Sequence, residues 1–200
     1  LGALRDIDFG IYPYTSSSQT LAAFGPIGAG IPGVRLDNAI GIMKAYSTCV
    51  GEGPFTAEMF GEEAEKLRAA GGEYGAATGR PRRVGPFDVP ASRYGVRVQG
   101  ADCIALTKLD VLSYLDKIPV CTAYEIDGEK TTVFPTGDRL NRAKPVVEYM
   151  EGFGDVSKCR KYEELPQAAK DYISYIEKAV ECPIKYVSVG AGRDEYIKID

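Results

Sequence analysis

Two apolar runs that are too short for a helix, residues 103–107 and 184–189, limit the folds open to this chain. Runs of this length are typical of buried strands. A helical pattern precedes each run, at residues 62–70 and in the segment that Pro166 opens. Proline at the first helical position and apolar residues at a period of 3.6 favour a helix after residue 166. Strands that alternate with helices indicate an α/β fold.

Further segments fill in this outline. The Asp127-Gly128 pair between two extended runs predicts a β-hairpin over residues 118–135. Residues 5–9 are predicted to form a short strand, and residues 34–50 begin with a helical pattern and continue as an extended segment. Residues 28–33, GAGIPG, match the spacing GxGxxG, but no apolar strand precedes them. We therefore interpret them as a flexible loop and not as a dinucleotide fingerprint.

Composition excludes several classes of function. The 200 residues suit one large domain or two small ones, and 24 basic against 28 acidic side chains give a net charge of −4, which argues against a general nucleic-acid binder. No apolar run is long enough to cross a membrane, and no signal peptide is expected at the start. Histidine is absent, so every histidine-based mechanism within this chain is excluded. Five cysteines without a CxxC pair predict free thiols in a reducing, cytoplasmic protein.

Polar or small residues follow each apolar run. TKLD, residues 107–110, ends the first run, and a carboxylate there can accept two hydrogen bonds from guanine that adenine cannot offer. SVGAG, residues 188–192, ends the second run, so both motifs are expected at one edge of the sheet and in one shared pocket. The arginines of residues 77–83 and the hydroxyls of residues 12–18 are suited to anions. A solvated turn or loop is the alternative interpretation of each motif.

Longer stretches carry a resemblance to a known family. They are DIDFGIYPYTSSS, GIMKAYSTCVGEGPFTAE, EYGAATGRPRR, LTKLDVL, LPQAAKDYISYIE and SVGAGRDE, in this order. Together they resemble the C-terminal half of adenylosuccinate synthetase over nearly all 200 residues. The resemblance implies a P-loop NTPase-like α/β fold in which residues 1–200 are the C-terminal portion of a single domain. It also implies a GTP-dependent ligase that joins IMP and L-aspartate to form adenylosuccinate in AMP synthesis.

The resemblance also implies roles for individual residues. The residues expected to bind IMP are Ser16, Val50 and Arg80, and those expected to bind GTP are Arg82, Lys108, Leu109, Asp110, Ser188, Val189 and Gly190. Those expected to bind aspartate are Ala76, Ala77, Thr78, Gly79, Arg80, Pro81 and Arg82. The phosphate loop, the catalytic Asp and His and the Mg²⁺ ligands are expected in the other half of the family's chain, so no catalytic or metal-binding residue is assigned here.

The resemblance implies a homodimer for the complete enzyme and no activity for these 200 residues alone. The chain also departs from the family pattern at several positions. Leu1 stands where the family usually has Gln, Ala77 where it has Thr, and Pro86 where it has Trp. The alternative hypothesis is a non-catalytic guanine-nucleotide-binding or interaction module derived from the family.

Overall fold

The computed structural model of the protein describes residues 2–199, which form a mixed α/β fold as predicted. The strands are β1 (Ile40–Lys44), β2 (Ser47–Cys49), β3 (Arg83–Gly85), β4 (Phe87–Asp88), β5 (Cys103–Thr107), β6 (Lys117–Ile126), β7 (Glu129–Thr131), β8 (Lys144–Glu151), β9 (Ile184–Ser188) and β10 (Tyr196–Lys198). The α-helices are α1 (Gly25–Gly28), α2 (Gly61–Gly71), α3 (Val89–Gln99), α4 (Asp138–Arg142) and α5 (Gln167–Val180). Short 3₁₀ helices span Ala3–Arg5, Ala22–Phe24, Asp110–Tyr114 and Tyr162–Glu164.

The main sheet has the strand order β1-β5-β9-β10. β1, β5 and β9 run parallel, and β10 is antiparallel to β9. Ile104 and Leu106 of β5 are fully buried, as expected for an apolar run in the middle of a parallel sheet. The predicted strands at residues 103–107 and 184–189 are therefore confirmed, the second ending at Ser188. Parallel pairing places the carboxyl ends of β1, β5 and β9 at the same edge.

A second sheet contains the predicted hairpin. β6 and β7 pair in antiparallel fashion around Asp127 and Gly128, whose φ angles of +55° and +88° are those that an Asp-Gly turn supplies. β8 pairs along the other side of β6, and β4 pairs with β6 in parallel. The hairpin is confirmed, whereas β8 was not predicted from its sequence.

The helices are positioned by their buried faces. α2 and α5 are confirmed, although Pro166 is the N-cap of α5, with a ψ of 150°, and not its first helical residue. Tyr172 of α5 is fully buried, and its hydroxyl donates to the Ala45 carbonyl at 2.6 Å, which ties the helix to the end of β1. α3 was not predicted. Its N-cap is Asp88, whose carboxylate accepts from the Ala91 amide at 3.1 Å.

Two predictions near the start of the chain are wrong. Residues 5–9 contain no strand. Arg5 ends a 3₁₀ helix and residues 7–9 form a turn, because the Asp6 carboxylate accepts from the backbone amides of Asp8 and Phe9 and bends the segment. Residues 34–39 are not helical, and β1 begins directly after them. Residues 28–33 begin with the last residue of α1 and continue as turns, without a preceding strand.

Two further findings concern the whole described chain. Within residues 2–199 no helix is both long and apolar enough to cross a membrane. All five cysteines are free, and four of them are buried, in agreement with the predicted free thiols.

Candidate functional site

The motifs that follow β5 and β9 lie against each other. The Lys108 amide donates to the Ser188 hydroxyl at 2.9 Å, and the Leu109 amide donates to the Ser188 carbonyl at 3.1 Å. Lys108 has a φ of +61°, which few non-glycine residues adopt and which turns the chain sharply at the end of β5. The two motifs predicted to share one edge of the sheet are therefore hydrogen-bonded neighbours.

Asp110 carries an acceptor that no group in the described part of the chain uses. It begins the 3₁₀ helix after β5, and among the described residues its Oδ1 atom is shielded from solvent without a hydrogen-bond partner. Burial raises the pKa of Asp110 above its ordinary value, and the charge of Lys108 partly opposes this effect. A shielded acceptor without a donor is costly to keep unless a ligand supplies the donor. Asp110 is therefore suited to accept an N–H from a bound base.

The turn after β9 is closed by Glu195. The Glu195 carboxylate accepts from the Gly192 amide at 2.6 Å, and its carbonyl accepts from the Val189 amide at 2.9 Å. A Cβ atom at Gly190 would lie 2.3 Å from Glu195 Oε2, so a side chain cannot be placed at this position without displacing Glu195. The absence of a side chain at Gly190 lets the Glu195 carboxylate lie against this turn.

The arginine-rich loop, residues 76–82, connects α2 to β3. Its base is closed by hydrogen bonds from the Gly75 amide to the Arg80 carbonyl at 2.9 Å and from the Arg82 amide to the Glu73 carbonyl at 2.9 Å. Gly79 has a φ of +64°, the left-handed conformation that favours glycine. Residues 76–80, including Ala77 and Thr78, are exposed. The loop is thus a closed turn with an accessible tip.

The three arginines of residues 77–83 have different surroundings. Arg83 pairs with Glu58 at 2.5 Å and also donates to the Gly51 and Gly53 carbonyls, so it anchors the neighbouring loop. Arg82 pairs with Glu73 at 2.8 Å. Within residues 2–199 the exposed Arg80 guanidinium has no hydrogen-bond or ion-pair partner. Arg80 is therefore available to an anion, whereas the prediction of an anionic ligand does not fit Arg83.

Glu73 is the residue that sequence reasoning missed. Its carboxylate is fully buried and accepts from Lys44 at 2.8 Å, from Tyr46 at 2.5 Å, from Lys108 at 3.2 Å and from Arg82. Burial alone would raise the pKa of Glu73, but the hydrogen bonds from Lys44 and Tyr46 and the charge of Lys44 lower it to about 2. The sequence signal was weak, since a single acid between two short glycine-containing turns is ordinary for a loop.

The Glu73 cluster, which comprises Glu73, Lys44, Arg82 and Lys108, carries an excess of positive charge. Three cations surround one carboxylate. A cavity of about 570 Å³ borders the cluster between β1 and α3, and Lys44 and Thr107 contribute to its wall. A positively charged group beside an open cavity is suited to attract a polyanionic ligand.

Two of the predicted IMP-binding residues, Ser16 and Val50, are both hydrogen-bonded to Arg5. Arg5 donates to the Tyr14 carbonyl at 2.6 Å and to the Val50 carbonyl at 2.8 Å, and its own carbonyl accepts from the Ser16 amide at 2.7 Å. Arg5, which was not predicted to be part of the site, therefore holds Ser16 and Val50 together. The Ser16 hydroxyl accepts from the Ser18 amide at 2.9 Å within its own turn.

Metal ligands do not converge in this part of the protein. Within the described range no group of three or more His, Cys, Asp or Glu residues could hold a metal ion. The donor set of the described residues therefore does not fit Mg²⁺.

Residues 1–197 match the family model of adenylosuccinate synthetase. The chain belongs to the adenylosuccinate synthetase family. Over 201 residues it is 47% identical to the adenylosuccinate synthetase of Synechococcus sp. (strain CC9902), a match that covers 100% of the chain and 46% of that relative. The enzyme of the same name from Mycobacterium marinum is 46% identical over 198 residues, which are 98% of the chain and 46% of that protein.

A solved structure agrees with this assignment. The fully ligated adenylosuccinate synthetase from Plasmodium falciparum superposes with a TM-score of 0.90 and 39% identity, over 99% of the chain and 48% of that structure. A cyanophage S-2L succinoaminodeoxyadenylate synthetase has a TM-score of 0.55 and 17% identity, which shows a likeness of fold alone. The chain spans about half the length of the adenylosuccinate synthetases that it matches. Leu1 lies outside the described residues, and Pro86 is buried.

Proposed function

We propose that the native protein is a GTP-dependent ligase that joins IMP and L-aspartate to form adenylosuccinate, and that this chain supplies its guanine and aspartate sites. The proposal is supported by the contacts that join the motif after β5, the motif after β9 and the arginine-rich loop. Lys108 and Leu109, which precede Asp110, are hydrogen-bonded to Ser188. Glu73 connects Lys108 to Arg82 at the end of the arginine-rich loop. The residues proposed to bind guanine are therefore adjacent to the loop proposed to bind anions.

Guanine is the base that fits Asp110. Within residues 2–199 its Oδ1 atom has no hydrogen-bond donor. The N1–H and N2–H₂ groups of guanine supply two donors side by side, which adenine does not. The Lys108 side chain extends from the end of β5 to the Gly71 carbonyl, where its ammonium donates at 2.5 Å. Its aliphatic stem offers a surface for the face of the base. The remaining proposed contacts are from Leu109, Ser188, Val189 and Gly190.

Phosphates and aspartate are assigned to the arginines. Arg82 is held on one side by Glu73 and remains 31% exposed, so it can also reach GTP phosphates and an aspartate carboxylate. Arg80, whose guanidinium has no partner among the described residues, is assigned to aspartate and to IMP. The other members of the aspartate loop are Ala76, Ala77, Thr78, Gly79 and Pro81, with contacts from the Thr78 hydroxyl and the Gly79 amide. Ser16 is assigned to the IMP phosphate and Val50 to its ribose.

The proposed reaction has two steps. The γ-phosphoryl group of GTP passes to O6 of IMP, and GDP leaves. The aspartate amine then attacks C6, and inorganic phosphate leaves with the original O6. Arg82 neutralises charge during the first step, and Arg80 holds the aspartate carboxylate during the second.

The rest of the machinery is assigned to a part of the protein outside this chain. The Mg²⁺ ligands and the acid–base groups belong there, because the chain has no histidine and its described residues include no metal cluster. We further propose that the complete enzyme is a cytoplasmic homodimer and that residues 1–200 alone are inactive.

The test uses the native protein, with an intact mass to define its length. We expect adenylosuccinate to form only when GTP, IMP and aspartate are all present, and ATP to replace GTP poorly. Tight GTP binding without product would instead support a non-catalytic guanine-nucleotide-binding module. Equal use of ATP and GTP would contradict the role of Asp110.

A further inference from the structure

Glu73 contacts both proposed ligand-binding segments at once. Its Oε2 atom accepts from Arg82 at 2.8 Å, and its Oε1 atom accepts from Lys108 at 3.2 Å. We infer that Glu73 is a positioning residue that sets the places of Arg82 and Lys108 together, so that GTP and aspartate affinity depend on one buried carboxylate. The inference rests on the proposed function, since the two cations act on those ligands.

Glu73 is more deeply buried than the two cations that it binds. Its side chain is fully buried, whereas those of Arg82 and Lys108 are 31% and 35% exposed. The fixed partner is therefore the acid, and the adjustable partners are the cations that approach it from the site. Hydrogen bonds between charged groups are shorter and stronger than those between neutral groups, and they restrict the orientation of the donors.

Lys44 and Tyr46 hold the carboxylate from the sheet side. Both donate to Oε1, and Lys44 also donates to the Thr48 hydroxyl at 3.1 Å. These contacts come from the segment that ends β1 and begins β2, so Glu73 is fixed to the main sheet as well as to its own loop. Because Glu73 is fixed in this way, it can place the more exposed side chains of Arg82 and Lys108 relative to the edge of the main sheet.

Removal of the charge has a specific consequence. Without the carboxylate, the ammonium groups of Lys44 and Lys108 and the Arg82 guanidinium lose the counter-charge that they share. Repulsion then favours the solvent-directed rotamers of the two more exposed cations, Arg82 and Lys108. Both would leave the positions from which they contact GTP and aspartate, while the distant Ser16 segment would not be affected.

The test is Glu73→Gln in the native protein, which keeps the shape of the side chain and removes its charge. We expect the KM values for GTP and for aspartate each to rise about tenfold, equivalent to about 1.4 kcal/mol, and the KM for IMP to stay within about twofold. GTP binding measured by calorimetry without the other substrates should weaken by the same factor. Glu62→Gln is the matched control, because Glu62 is an exposed acid in the first turn of α2, and it should leave all three KM values unchanged.

A structural role would give a different pattern. If Glu73→Gln lowers kcat or thermal stability but leaves the GTP and aspartate KM values within about twofold, the inference is overturned. If that variant does not fold, Glu73→Asp keeps the charge and withdraws it by one methylene. The same two KM values should then rise about threefold, and unchanged values would overturn the inference. An inactive wild-type protein would instead contradict the proposed function itself.

Discussion

The Ser188 hydroxyl accepts a hydrogen bond from the Lys108 amide at 2.9 Å, which joins the turns after two parallel strands. The contact spans 80 positions of sequence and fixes Lys108 in a left-handed backbone conformation. Because Asp110 follows two residues later, the same contact determines where its unpartnered oxygen lies. The guanine site proposed here therefore depends on a side chain of β9 as well as on the motif itself.

Ser188→Ala should loosen the turn that carries Lys108 and Asp110. The substitution leaves the Lys108 amide without its acceptor, and the loss of such a hydrogen bond costs about 1 kcal/mol. We expect a rise of about fivefold in the KM for GTP and little change in the KM for IMP, measured by steady-state kinetics. Ser174→Ala on α5, where no hydrogen bond is lost, is the control. A Ser188 variant with wild-type GTP affinity would show that the turn keeps its shape without this contact.

Asp110→Asn should change the preferred nucleotide. The amide can donate to the 2-oxo group of xanthine, whereas the carboxylate accepts from the 2-amino group of guanine. We expect weaker binding of GTP, by a factor of about 10², and a gain in activity with xanthosine triphosphate. The matched control is Asp116→Asn, an exposed acid just beyond the same 3₁₀ helix. If the variant discriminates between GTP and xanthosine triphosphate as the wild type does, Asp110 does not recognise the base.

Arg80→Ala and Arg83→Ala should have opposite effects on activity and stability. Arg80 has no partner in the described chain, so its removal should raise the KM for aspartate and IMP, or lower kcat, without a change in the free energy of unfolding. Arg83 binds Glu58 and two loop carbonyls, so its removal should destabilise the protein by about 1–3 kcal/mol. Denaturant titrations and kinetics of both variants, with Arg139→Ala as a surface control, separate the two roles. Loss of stability in Arg80→Ala would be inconsistent with this division.

Asp88 should make stability depend on pH between about 4 and 6. Burial raises the pKa of Asp88 from 3.8 to about 6, although hydrogen bonds from Tyr124 and from the Ala91 amide oppose the rise. The folded pKa lies above the unfolded value, so this group stabilises the fold fully below pH 4, and its contribution is lost as the pH rises through 6. In the native protein, the wild type should gain about 1.4 kcal/mol relative to Asp88→Asn between pH 7.5 and pH 5. Denaturant titrations at both pH values give this double difference, and a value near zero would mean that Asp88 titrates normally.

The sequence predicted secondary structure correctly where the residues that determine it lie within one short segment. The Asp127-Gly128 turn, the run of β5 and the apolar stripe of α5 each specify their conformation through neighbours a few residues away. α3 also carried such signals, since Asp88 is its N-cap and Gly100 ends it with a φ of +58°, and these were overlooked. β8 gave no clear signal, because its outer positions are exposed and its pairing with β6 determines its conformation.

One wrong prediction, the strand at residues 5–9, concerns a segment that is also bound from a distance. The Asp6 carboxylate accepts from the Thr20 amide at 2.8 Å as well as from its neighbours, and this contact replaces the predicted strand with turns. Pro166 was misplaced by one position, because its ψ of 150° makes it the cap of α5. Such differences are expected where the competing conformations differ by only one or two hydrogen bonds.

The sequence by itself determined the α/β class, the strand-end position of the TKLD and SVGAG motifs, and the exclusion of histidine chemistry within this chain. These properties depend on residue type and on short-range spacing. The tertiary structure decided which cations share a counter-ion. Glu73 lies 29 positions from Lys44 and 35 from Lys108, and an acid becomes the centre of a charged cluster only when folding removes it from water and brings its partners within hydrogen-bond distance.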